Sequence, residues 1–163
     1  MKEISRDTPV LLLALGNDIL SDDAVGFVLA NRVGQVLQNK QNIVIKQTNE
    51  MGLALLDLID GYEKLIVIDS IVTGKEKPGF VHQIQLSDLK FYPQLAPHSF
   101  GIGEAITLGR QLGMAVPKEI IVIAVEVKDP FTVGTELTDE VKLALDEATQ
   151  KILFWCKKFC PKS

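Results

Sequence analysis

Three blocks of the chain are apolar at every position: residues 10–15 (VLLLAL), 65–68 (LIVI) and 120–125 (IIVIAV). A strand with one wet face alternates in polarity. One that is apolar throughout has to be covered on both faces, as the central strands of a parallel sheet are. Residues 43–45 (IVI) form a shorter block of the same kind. Residues 80–86 alternate instead, with Phe80, His82, Ile84 and Leu86 on one side and Val81, Gln83 and Gln85 on the other. Mixed polarity of that kind belongs at a sheet edge, and His82 reads there as partly exposed packing with no role.

Helical periods separate these blocks. Val25, Val28, Leu29, Val33, Val36 and Leu37 recur at three- and four-residue spacings. Residues 53–59 make a shorter helix closed by Gly61. Ile102, Ala105, Ile106, Gly109 and Leu112 form a third stripe, stopped by Gly113 and Pro117. The longest stripe runs from Val141 through Ala144, Leu145, Ala148, Ile152, Trp155 and Cys156 to Phe159, with Thr138 as its N-cap. Strand and helix alternate, so the expected fold class is α/β, a three-layer domain on a mostly parallel sheet.

The whole chain, 1–163, is expected to form a single domain, with the first nine residues frayed. Charged residues are 23% of the total and the net charge is −4, which speaks against a nucleic-acid or anionic-membrane binder. No apolar run is long enough to span a bilayer, and the expected location is cytoplasmic. Cys156 and Cys160 lie on one face of the last helix and read as buried thiols, without a disulfide framework or a second Cys or His pair to bind metal.

Ligands of open α/β sheets collect at the carboxyl ends of the strands. The polar residues that follow the apolar blocks are therefore the candidates for chemistry. Asp22 and Asp23 follow the first block; only one of two adjacent carboxylates can cap the next helix, and Asp22 is better placed, which leaves Asp23 to the crevice. Asp69 ends a wholly apolar block, where a carboxylate is costly unless it serves a metal, a proton transfer or a strong hydrogen-bond network. His98 sits in the loop before the third helix. Two carboxylates and an imidazole at one sheet edge suit a borderline divalent ion with open coordination positions. Other readings are weaker. Ala14 and Ile19 stand where a dinucleotide fingerprint around Gly16 needs glycine, there is no Walker lysine, and Ser21, Ser70 and Ser99 lack a nucleophile elbow.

Leu15-Gly16-Asn17, then Asp22-Asp23 and Gly26, resembles the opening motif of the nickel–iron hydrogenase maturation endopeptidases. Residues 65–69 resemble the second acidic strand end of that family, and Pro97-His98 its histidine loop. Val125-Glu126, residues 134–138 and Val141 resemble its closing stretch, so the likeness runs from about Val10 to the last helix. The chain departs from the pattern at Ala24, where many members have Gly, and at Val127, where Pro is usual; no function is placed on Glu126.

The resemblance implies an α/β/α sandwich, phosphorylase- or hydrolase-like, with a five-stranded sheet and one antiparallel edge strand. It implies an endopeptidase, aspartic-type by family classification, that removes the C-terminal extension of the hydrogenase large-subunit precursor after nickel insertion. It carries metal-contacting and catalytic roles onto Asp23, Asp69 and His98, with nickel supplied by the substrate and no organic cofactor. The main alternative is a nickel-binding chaperone or sensor on the same fold without proteolytic activity. A nucleoside phosphorylase would need phosphate donors, and Arg110 within the third helix is expected to be solvated. An acidic monomer is the default expectation, and the aromatic end of the last helix leaves a dimer open.

Overall fold

In the computed structural model, β1 (Val10–Leu15) is buried along its whole length, between β2 (Ile43–Thr48) and β3 (Lys64–Ile71) and parallel to both. Residues 8–38, 42–91 and 101–161 are described. β4 (Val81–Gln85) and β5 (Glu119–Glu126) complete the sheet, in the order β2-β1-β3-β5-β4, with β4 antiparallel at the edge. The expected α/β/α sandwich with one antiparallel edge strand is what the chain forms. The expected N-terminal tail, apart from Thr8 and Pro9, lies outside the described residues.

Because strand side chains alternate, the apolar blocks feed two separate cores. Leu12, Ala14, Ile66, Ile68, Ile121, Ile123 and Val125 face α1 (Val25–Leu37) and α4 (Asp139–Phe159). Leu11, Leu13, Leu15, Leu65, Val67, Ile71 and Val122 face α2 (Leu55–Ile59) and α3 (Ile102–Gln111). Each large aliphatic buried in this way contributes about 1.5–3 kcal/mol, which explains why the blocks tolerate no polar residue. Among the described residues no helix is long and apolar enough to cross a membrane.

Four details differ from the sequence expectation. First, β3 does not stop at Ile68; it runs on through Asp69 and Ser70 to Ile71, because backbone pairing with β5 continues whatever the side chains are. Second, α2 begins only at Leu55, after a 3-10 turn over Gly52–Ala54, so Leu53 is 62% exposed. Third, Cys156 is fully buried but Cys160 only half so. Burial pushes the Cys156 thiol up to about 12, with Cys160 on the next turn adding to the rise. Cys156 therefore stays a protonated thiol at pH 8. Iodoacetamide at that pH should label Cys160 alone in the native protein and both cysteines after denaturation, read by mass spectrometry.

The fourth difference concerns His82, which is buried rather than partly exposed. Its Nε2 lies 2.8 Å from Glu126 Oε2. Glu126 is itself buried and also accepts from the backbone N–H groups of Thr73 (2.8 Å) and Gly74 (3.1 Å) and from the Thr73 hydroxyl (2.9 Å). One carboxylate thus pins the β3–β4 connection onto the end of β5. Glu126→Ala strands these donors and is expected to cost about 3 kcal/mol, seen as a lower urea midpoint at unchanged slope.

Candidate functional site

The strand order reverses between β1 and β3, which connect onward to opposite sides of the sheet, and the carboxyl ends at such a point are where open α/β sheets take their ligands. Two glycines let the next helix settle directly on that edge. A Cβ on Gly26, in the first turn of α1, would lie 2.5 Å from the Leu15 carbonyl oxygen and 3.1 Å from that of Ile68. A Cβ on Gly16 would lie 2.5 Å from the Asp23 carbonyl oxygen. The opening motif is therefore a packing device, in which the chain leaves β1, makes a 3-10 turn over Ser21–Ala24 and returns against the ends of β1 and β3.

That turn buries both carboxylates it carries, and they face different partners. Asp22 does not cap α1, whose N-cap is Ala24 without a side-chain hydrogen bond. Instead Asp22 accepts from the Thr138 backbone N–H (2.7 Å) and the Thr138 hydroxyl (2.9 Å), at the start of α4. An anion beside a helix N-terminus is favoured by the helix dipole. The same two segments are stitched twice more: Gly134 N–H donates to the Ile19 carbonyl (3.1 Å), and the Ser21 hydroxyl to the Glu136 carbonyl (2.6 Å). Gly134 and Glu136, through their backbone, and Thr138 thus hold the opening motif in place.

Asp23 is fully buried and points the other way, toward β3. Its Oδ1 accepts the Ser70 hydroxyl at 2.8 Å. Asp69, also fully buried, accepts the Ser70 backbone N–H on Oδ1 at 2.8 Å. The two aspartates singled out by the sequence are therefore brought together through one serine. Ser70 carries no site role in the sequence expectation, which weighs it only as a nucleophile; its position directly after Asp69 is the signal that points to one.

His98, the third expected ligand, lies outside the described residues. Among the described residues no group of three or more His, Cys, Asp or Glu side chains gathers in metal-holding geometry. The described part of the crevice offers two carboxylates, hard oxygen donors that would need the imidazole to make a set suited to nickel or zinc. Asp129, on the loop after β5, is occupied locally: it accepts from the Thr132 hydroxyl and the Phe131 N–H, which hold its carboxyl below the usual range. Arg110 is exposed, as expected.

The hydrogenase maturation protease family model, HycI, matches residues 27–155. The chain is similar to the hydrogenase 2 maturation protease of Escherichia coli (strain K12), 24% identical over 146 residues, with 88% of each chain covered. It is 25% identical over 162 residues to the hydrogenase expression/formation protein HupD of Bradyrhizobium diazoefficiens, covering 95% of this chain and 83% of that protein. Among solved structures, the hydrogenase maturating endopeptidase HybD from Escherichia coli superposes with a TM-score of 0.76 at 22% identity, covering 92% of this chain and 93% of that one. A NiFe hydrogenase maturation protease HybD from Thermococcus kodakarensis superposes with a TM-score of 0.68 at 28% identity, covering 91% and 99%. Matched over most of its length by the family's sequence model and along nearly all of it by structures of the same fold, this chain belongs to the hydrogenase maturation protease family.

Proposed function

We propose that this chain is an endopeptidase that removes the C-terminal extension of a nickel–iron hydrogenase large-subunit precursor once nickel has been inserted. Membership of the family supports peptidase chemistry in hydrogenase maturation. The observation that carries the finer reading is the pair of buried carboxylates, Asp23 and Asp69, held on either side of Ser70 at the β1/β3 edge. Burying two acidic groups that share one serine as donor is costly for a fold and is repaid by a cationic or proton-accepting function.

On this reading nickel is part of the substrate, held by the precursor's own thiolates, and Asp23, Asp69 and His98 complete its shell when the precursor docks. The metal would then mark the precursor as ready, and the chemistry it would supply is that of a Lewis acid toward the scissile carbonyl. Asp23 or Asp69 takes a proton from the attacking water as general base. The water oxygen bonds to the carbonyl carbon, the C–N bond breaks, and the proton passes to the departing amine. No serine or cysteine nucleophile is involved.

The test is incubation of the purified chain with the nickel-loaded large-subunit precursor of its own organism, with the C-terminus followed by mass spectrometry. Loss of a discrete C-terminal peptide supports the proposal. An intact precursor, together with tight binding of nickel by this chain alone, would instead make it a nickel-binding chaperone.

A further inference from the structure

We infer that Ser70 is a positioning residue that aligns the two site carboxylates, an inference that rests on the proteolytic reading above. Pairing of β3 with β1 ends at Ala14 and Ile68, whereas pairing with β5 continues to Ile71 and Glu126. Beyond Ile68, then, β3 has lost its β1 neighbour, and the Ser70 N–H donates to Asp69 Oδ1 rather than to a strand. Alternation along β3 puts Asp69 on the face of Leu65, Val67 and Ile71, under α2 and α3, and Ser70 on the face of Ile66 and Ile68, under α1 and α4. Asp23 arrives with the turn before α1, on the Ser70 side. The two carboxylates therefore approach the edge from opposite faces of the sheet, and Ser70 hydrogen-bonds to both, through its backbone to one and its hydroxyl to the other.

Ser70 is 0% exposed, so its hydroxyl is not there for solvent. With Asp23 Oδ1 engaged at 2.8 Å, rotation of that carboxylate is restricted. Partners of this kind, one step removed from the reacting atoms, typically govern activity by roughly 10- to 100-fold.

Ser70→Ala removes the hydroxyl and leaves the backbone donor to Asp69 in place. With nickel-loaded precursor, kcat should fall roughly 10- to 100-fold while KM stays within about twofold, and Ser70→Thr, which restores a hydroxyl, should recover most of the loss. Independently of turnover, the side-chain carboxyl carbon resonance of Asp23 should move in Ser70→Ala, and that of Asp69 should stay. A folded Ser70→Ala variant with wild-type kcat, or with an unmoved Asp23 resonance, overturns the inference. Asp23→Asn serves as the control beneath it: if that variant cleaves at the wild-type rate, the proteolytic role of Asp23 fails, and the Ser70 inference with it.

Discussion

Asp69→Asn is expected to stop precursor processing, lowering its rate by at least about a thousandfold, while leaving the protein as stable as the wild type or more so. Both halves follow from the same position. Asp69 is fully buried at the end of an otherwise apolar strand, and a carboxylate in that setting destabilises the fold relative to a neutral group of the same shape. Asparagine keeps an oxygen for the Ser70 N–H, so the local hydrogen bond survives. What it lacks is the negative charge, which on the proposed reading ligates a cation or takes a proton. Loss of activity with retained stability is the pattern of a site residue held against the interest of the fold. Asp23→Asn should behave in the same way. A thermal melt run beside the processing assay decides it; normal processing by Asp69→Asn would remove the residue from the site.

Gly26→Ala is expected to do the opposite, taking stability and activity together. The added Cβ would sit 2.5 Å from one backbone carbonyl oxygen and 3.1 Å from another, and neither can move without shifting a central strand. α1 must instead be pushed off the ends of β1 and β3, at a cost of about 3 kcal/mol. For a chain of this size that is a fall in Tm of roughly 6–12 °C. The 3-10 turn that carries Asp22 and Asp23 joins α1 directly, so the displacement is transmitted to the hydrogen bond between Asp23 and Ser70. Urea unfolding should show a lower midpoint at unchanged slope, and residual activity should fall even where the protein is fully folded. An alanine variant with wild-type stability would mean that the helix does not rest on the strand ends as described.

The layers of the fold were legible because they rest on period. Apolar blocks predicted the central strands, and stripes at helical spacing predicted α1, α3 and α4, whose inward residues Val25, Leu29, Val33, Ala105, Ile106, Ala148 and Ile152 are all buried. The same stripes over-reached at their ends: Val36 and Leu112 are 56% and 64% exposed, because a stripe says which face is apolar and not how far the opposing layer extends. Asp23 and Asp69 were legible for a different reason, since a carboxylate next to a buried strand is anomalous on its own. Their meeting was not, because it depends on where β1 stops pairing with β3. The contact between Asp22 and Thr138 spans 116 residues and that between His82 and Glu126 spans 44. Neither leaves a local trace, and local rules assign these side chains to a helix cap and an exposed edge, which the structure corrects. The motif glycines carry the clearest physical meaning once the backbone is seen, since both mark places where a side chain would meet a carbonyl oxygen.

On the proposed function, the edge between β1 and β3 reads the metal of its substrate. The most direct test offers the protein the same hydrogenase large-subunit precursor in nickel-loaded and nickel-free forms and follows the C-terminus of each by mass spectrometry. The loaded form is expected to lose its C-terminal peptide and the nickel-free form to stay intact. Equal cleavage of both forms would contradict that reading, leaving a peptidase for which Asp23 and Asp69 serve some purpose other than recognising nickel.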